Sequence, residues 1–229
     1  MKQDLKRNIE KLMAQGATYV DARWYPFEET NSLMMWNGNL KDLSASSQSG
    51  VGVRVLYGGA WGFSAASRLE DLAAIFDKAF DNARTAAERV DFPVRLAEKD
   101  TVQSSFASPN QIDPFSVPLT EKLEFLRSMD AKLNQAGVAQ RVAALNFVKR
   151  QIVFLDSEGS EIEKTIIDVF PSFQVMGMDK DGELQTRKYK SARHGSTRGW
   201  ESLDPAYFSA TAERLVRELN QLLVAENCP

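Results

Sequence analysis

Few residues in this chain have the chemistry of a catalytic centre. There is one histidine, His194, and one cysteine, Cys228. A catalytic zinc takes about three protein ligands from His, Cys, Asp or Glu, and no His-Glu-x-x-His pair is present to supply two of them from one helix. Asp179-Lys180-Asp181-Gly182 resembles the start of a calcium loop but lacks the downstream ligands, so it reads as a solvated hairpin turn. No Gly-x-Ser-x-Gly elbow occurs. A Ser-His-Asp set would have to use His194, which lies among Arg193, Gly195, Ser196 and Arg198, a polar loop better suited to a surface contact. Gly50-Val51-Gly52 and Gly58-Gly59 lie between strands, and no Gly-Lys-Ser/Thr follows them, so neither is a phosphate loop.

The densest signal is the run from Gly50 to Ser67. It reads as a tight glycine-bearing hairpin in which Val51, Val53 and Val55 mark one face and Arg54 the other. Trp61 and Phe63 alternate with Gly62. The glycines serve a close turn and a close backbone approach, and the aromatics serve a core. On a sharper reading Arg54, Trp61 and Phe63 line an interface or a substrate surface. A second cluster holds Arg187, Lys188, Lys190, Arg193 and Arg198. It is either a solvated basic hairpin and loop or a surface for a partner or a peptide carboxylate, with Arg187, His194 and Arg198 as its contact residues.

The elements that must position these residues follow from periodicity. Residues 2–15 read as a helix with Leu5, Ile9, Leu12 and Met13 on one face, ended by Gly16. Strands are expected over Val20 to Glu29, Leu33 to Trp36, Leu40 to Ser46, Gly52 to Tyr57 and Ala60 to Ala65, with a tight turn at Asn37-Gly38. Ser67 and Glu70 form a capping box for a helix with the stripe Leu69, Leu72, Ala73, Phe76, Phe80, Ala83 and Ala87. Its alanines predict close packing on a sheet. Residues 92–118 hold Pro93, Pro109, Pro114 and Pro118 and read as a connector with at most a short strand.

The pattern then repeats. Leu119 to Gln135 is a helix, with Leu123, Leu126 and Leu133 inward. Val138 to Val148, Gln151 to Leu155, Glu161 to Phe170, Ser172 to Met178 and Glu183 to Tyr189 are strands, with hairpin turns at Asp156–Gly159 and Asp179–Gly182. A last helix begins at Asp204-Pro205, an N-cap followed by proline at the first helical position. The expectation is an α+β fold: antiparallel sheet segments with helices packed on them, in two pseudo-repeated helix–strands–helix halves. The halves are 1–91 and 119–229, joined by the connector 92–118.

Composition narrows the class. Of 229 residues, 43% are hydrophobic and 26% charged, which is ordinary for a globular protein. A net charge of −3 argues against a nucleic-acid partner. One cysteine excludes a disulfide framework within the chain. No apolar run reaches the roughly 18 to 20 residues of a membrane span, and the first residues lack a signal peptide's apolar region. A soluble chain of the cytoplasm, without membrane contact, is the expectation.

Gly50-Val51-Gly52-Val53-Arg54, its turn, Trp61-Gly62-Phe63 and the small residues that follow resemble the N-terminal domain of TldD/PmbA proteins, a zinc metallopeptidase family with the older label modulator of DNA gyrase. Gly16 to Arg23 resembles the family's passage from first helix to first strand, and Asn37-Gly38-Asn39-Leu40 its early turn. The resemblance covers residues 1–90 well. It is looser over 120–225, where it rests on element order and on the stretch from Arg187 to Trp200. It implies a peptidase that matures or degrades peptides, with zinc in a second, C-terminal domain that this chain does not match. It further implies that this portion is inactive alone and contacts its own C-terminal domain. The other implied partners are a like or related subunit, in a homo- or heterodimer, and unfolded peptide held as an extended strand. On this reading the chain is a fragment of a longer protein. The alternative expectation is a stand-alone, non-enzymatic binding or regulatory module.

Overall fold

The computed structural model describes residues 1–68, 70–189 and 195–226. The expectations placed on Leu69, Lys190, Arg193, His194 and Cys228 lie outside the described residues. In chain order the elements are α1 (Lys2–Ala14), β1 (Tyr19–Trp36), β2 (Asn39–Tyr57), β3 (Ala60–Ala66), α2 (Leu72–Ala87), β4 (Gln103–Ala107), α3 (Leu119–Leu133), β5 (Gln140–Asp156), β6 (Glu161–Met178), β7 (Leu184–Tyr189) and α4 (Pro205–Leu223), with a 3-10 turn at Trp200–Ser202. This is an α+β fold whose strands pair in the order β3-β2-β1-β5-β6-β4, with β7 also on β6. β3 and β7 pair antiparallel with their neighbours, and the short β4 joins β6 in parallel.

Several expected strands merge. Val20 to Glu29 and Leu33 to Trp36 are one strand, β1. Leu40 to Ser46 and Gly52 to Tyr57 are both part of β2. Val138 to Val148 and Gln151 to Leu155 fall on β5, apart from Val138 and Ala139 ahead of its start, and Glu161 to Phe170 and Ser172 to Met178 are β6. The polar residues at the expected breaks, such as Thr30-Asn31-Ser32 and Ser47-Gln48-Ser49, keep the extended backbone because a sheet ladder is made by main-chain groups. The turns stand where expected: Asn37 and Gly38 both have positive φ, 47° and 80°. Asp156 Oδ1 accepts the N–H groups of Glu158 and Ser160, and Asp179 Oδ1 those of Asp181 and Glu183.

The cap of α2 is Asp71, whose side chain accepts the Ala74 N–H at 3.0 Å. The Ser67–Glu70 box lies before the helix, because the chain enters it one turn later than the box requires. Ala73 is exposed, and Ile75 and Ala79 take part in the buried stripe instead. Asp204 caps α4 through the Ala206 N–H at 2.9 Å, with Pro205 next in the chain.

The chain divides into two compact units. The first is Met1–Glu28, Ser47–Ala107 and Arg150–Thr165; the second is Glu29–Ser46, Ser108–Lys149 and Ile166–Pro229. They interleave along the sequence, a different division from successive halves at 1–91 and 119–229. In the first unit α1 and α2 bury Leu5, Leu12, Phe76 and Ala83 against Val20, Val53, Val55, Val153 and Leu155. Each large apolar side chain fully buried this way contributes about 1.5–3 kcal/mol. Helix α2 lies directly on β3: a Cβ at Gly62 would stand 2.1 Å from the Ala79 carbonyl oxygen.

In the second unit α3 and α4 bury Leu126, Leu133, Phe208, Leu215 and Leu219 against Leu145, Phe147, Val169 and Phe173. There Asp130 takes Arg141 through Nε and Nη2, both at 3.0 Å, and accepts the Gly38 N–H at 3.1 Å. That pairing holds the β1–β2 turn to α3.

Candidate functional site

In the first unit Val20, Ala22, Val53, Val55, Val153 and Leu155 point to the helices. Successive strand residues point to opposite faces. Tyr19, Asp21 and Arg23 of β1, Arg54 of β2, Trp61 and Phe63 of β3, and Phe154 and Asp156 of β5 therefore project from the other, helix-free face.

Asp21 anchors this face. It is fully buried and accepts Arg54 through Nε at 2.9 Å and Nη2 at 2.6 Å, both to Oδ2. Arg23 Nη1 reaches its Oδ1 at 3.2 Å. The bond from Asp21 holds the Arg54 guanidinium even more firmly charged than usual, with burial opposing. Arg54 lies over the Trp61 ring, 5.1 Å from its centroid, and Trp61 meets Tyr19 edge-on at 5.8 Å. Phe63 stands opposite Arg54 in the β2–β3 register and is 58% exposed.

Beyond Tyr19 the array continues. Lys99 lies 5.9 Å from the Tyr19 ring centroid and donates to Asp156 Oδ2 at 2.5 Å. Burial pushes the Tyr19 phenol well above its usual range, and the charges of Asp21 and Asp156 push the same way. The bond to Asp156 raises Lys99 above the usual lysine range. Burial pushes Asp156 up, but the Lys99 ammonium and the Ser160 N–H outweigh it and hold the carboxyl below its usual value. At neutral pH the face therefore carries the partly exposed Arg54 and Lys99 cations, each paired with a buried carboxylate, beside the Trp61 and Phe63 rings and over a buried, neutral phenol. Such groups bind and orient anions and π-systems.

Arg54 and Trp61 are thus brought together, with Phe63 beside them. Arg187 and Arg198 belong to the second unit. Arg187 sits across from Val175 on β7, with Nε 3.8 Å from Glu218 Oε2 of α4. Arg198 donates its N–H to Ser196 Oγ at 3.1 Å. His194 lies outside the described residues. The sequence reading missed Tyr19, Asp21, Lys99 and Asp156 as members of a site. Asp21 was detectable, since a carboxylate between Val20 and Ala22 must face away from them and toward a cation of like parity. Lys99 carried no such signal, because it lies in an irregular segment.

Among the described residues no group of three or more His, Cys, Asp or Glu side chains is placed to hold a metal ion. The buried carboxylates Asp21, Asp130 and Asp156 each face a cation of the chain, so the zinc implied by the resemblance does not fit them. Nor is any helix among the described residues long and apolar enough to cross a membrane.

Comparison with known proteins decides the family. Residues 27–87 match the model of PmbA/TldA metallopeptidase domain 1, and residues 112–223 match that of the PmbA/TldA metallopeptidase central domain. The chain belongs to the TldD/PmbA family. A metalloprotease of Methanocaldococcus jannaschii is 27% identical over 223 residues, 96% of this chain and 48% of that protein. A metalloprotease of Methanothermobacter thermautotrophicus is 28% identical over 205 residues, 87% of this chain and 42% of its own. This TldD/PmbA chain therefore spans about half the length of the curated relatives it matches. Its fold is that of a Thermotoga maritima protein described as a candidate modulator of a DNA gyrase, with a TM-score of 0.76 at 15% identity, over all of this chain and 50% of that one. TldE from Thermococcus kodakarensis is similar with a TM-score of 0.58 at 11% identity, over 94% of this chain and 47% of its own.

Proposed function

We propose that this chain is the non-catalytic N-terminal portion of a cytoplasmic TldD/PmbA zinc metallopeptidase that matures or degrades peptides. It supplies dimer contacts and part of the wall of the chamber that holds the substrate. The observation that carries this reading is the match to metallopeptidase domain 1 and the central domain, in a chain half as long as relatives named metalloproteases. The catalytic zinc and the groups that use it belong, on this reading, to the part of those relatives that this chain does not match. Zinc in such a centre lowers the pKa of a bound water and so supplies the nucleophile.

Two features of the chain support a wall of this kind. Among the described residues β3 pairs with β2 alone, so its outer edge has main-chain groups to offer an extended peptide. The helix-free face beside it carries Arg54, Trp61 and Phe63, which can contact a partner subunit or a passing peptide without demanding one sequence.

The test is peptide hydrolysis by the longer gene product and by this chain, each purified and its metal content measured. The longer protein should cleave an unfolded peptide and lose that activity to a zinc chelator, and this chain should not cleave it. Hydrolysis by this chain alone would overturn the assignment of a non-catalytic role. A reading frame that stops after Pro229 would overturn the peptidase assignment and leave a binding or regulatory module.

A further inference from the structure

The helix-free face of the first unit contains a hollow of about 330 Å³ lined by Arg23, Tyr25, Ile152, Phe154, Ile162 and Lys164. That volume is at the lower end of the roughly 300–1,000 Å³ of small-ligand pockets. Its lining divides sharply by chemistry. Tyr25, Ile152, Phe154 and Ile162 give an aromatic and aliphatic surface, Arg23 and Lys164 are cations, and no carboxylate is present.

The two cations are placed for a ligand. The Arg23 guanidinium lies 5.2 Å over the Phe154 ring and spends only Nη1 on Asp21. A guanidinium has five N–H donors, and Arg23 has no other hydrogen-bond partner among the described residues. Asp21 is already matched by Arg54, so Arg23 leaves this part of the face with excess positive charge. Lys164 is exposed and has no carboxylate partner among the described residues. Beside it in the β4–β6 register stands Phe106, 53% exposed, which extends the apolar surface.

We propose that this hollow binds the C-terminal residue of a peptide. The free carboxylate sits with Arg23 and Lys164, and an apolar side chain lies on Phe154. A C-terminal residue matches the site in charge, because it brings one anionic group beside one side chain. It also matches in size, because the hollow is too small for a folded partner. Internal peptide bonds bring no charge and would leave both cations unanswered. The inference rests on the peptidase reading for its ligand class: a chamber that processes peptides receives and generates free C-termini.

The test is an NMR titration of the full 229-residue chain, isotopically labelled, with N-acetyl-Ala-Ala-Leu as the free acid and as the C-terminal amide. The free acid should perturb the amides around Phe154 and Lys164 saturably, and the amide should bind about tenfold more weakly, the worth of one charge-assisted contact. Lys164→Gln, a change on an exposed side chain, should weaken the acid about tenfold and leave the amide unchanged. Equal binding of acid and amide, no response to Lys164→Gln, or no perturbation at millimolar peptide would overturn the proposal. So would a single-stranded oligonucleotide that displaces the acid at lower concentration, which would make the hollow a phosphate contact. Neither arm reads hydrolysis. Absence of binding alongside cleavage by the longer protein removes this site and leaves the peptidase reading standing. Binding without any cleavage by the longer protein does the reverse.

Discussion

Arg54 of β2 reaches across to Asp21 of β1 and holds a carboxylate with no exposure to solvent by two N–H groups, the shorter bond being 2.6 Å. A buried charge deprived of its partner is costly, far more so than the intact pair is favourable. The same guanidinium lies on Trp61. One side chain therefore links β1 and β2 to the edge strand β3 and sets the chemistry of the helix-free face.

Arg54→Ala should destabilise the fold by about 3–5 kcal/mol. The remaining 3.2 Å bond from Arg23 keeps the loss toward the lower end. Urea unfolding of the single variant and of Arg54→Gln with Asp21→Asn checks this, because the double variant removes the stranded charge and should lose less. A single variant as stable as the parent would show that solvent reaches Asp21.

Gly62→Ala should cost about 3 kcal/mol, since its Cβ would lie 2.1 Å from the Ala79 carbonyl oxygen and 2.3 Å from the Ala83 nitrogen, both backbone atoms. Gly52→Ala faces away from the helices, and its nearest neighbour is the Phe63 ring at 3.4 Å, so its cost should stay within about 1 kcal/mol. Thermal unfolding of the two variants side by side reads the difference. Equal midpoints would mean that α2 can move off β3.

The Lys99–Asp156 pair should make the first unit sensitive to acid. Asp156 titrates below its usual value of 3.8 in the folded chain. Its contribution is therefore complete above that value and is lost as pH falls through the lower folded value. Lys99 titrates above its usual 10.5, so its share is complete below that pH and is lost only at higher alkalinity. With the lysine side chain 42% exposed, screening limits the pair to on the order of 1 kcal/mol. Unfolding midpoints of the parent and Lys99→Met should differ between pH 5 and 9 and converge in strong acid. A difference that persists undiminished into strong acid would place the effect in packing alone.

Lys122 of α3 is 6% exposed, with its ammonium 5.2 Å from the Phe147 ring centroid. Burial lowers its pKa, and the charge of Asp113 only partly restores it. The unfolded chain binds the proton more tightly, so stability rises with pH as it approaches the usual 10.5 from below. Lys122→Met should remove that slope and add about 1 kcal/mol at neutral pH, or about 2–4 °C in midpoint for a chain of this size. A lowered midpoint would show that the contact with the ring outweighs the cost of burial.

Much of the fold was legible because local rules suffice for it. Leu5, Ile9 and Leu12 recur at helical spacing and are the buried face of α1. Asp204-Pro205 starts α4, and Asn37-Gly38, Asp156–Gly159 and Asp179–Gly182 turn the chain. The alanines of α2 predicted a close approach to a sheet, and Gly62 under Ala79 and Ala83 makes it. Strand length was not legible. Residues 25–34 of β1 are half-buried apart from Leu33, so the alternation that announces a strand fades there although the backbone stays extended.

What the amino-acid sequence determined by itself is the class of fold, the helices, the turns and the kinship with TldD/PmbA proteins, because each of these rests on residues near one another in the chain. What only the tertiary structure decided is the pairing of residues far apart. Asp21 meets Arg54 because β1 lies beside β2, and Asp156 meets Lys99 because the segment before β4 is tied to the β5–β6 turn, with Thr101 Oγ1 donating to the Glu158 carbonyl at 2.8 Å. Arg23, Phe154 and Lys164 share one hollow because β5 stands between β1 and β6. Strand order is set by burying the whole apolar face at once, and no local spacing in the chain encodes it.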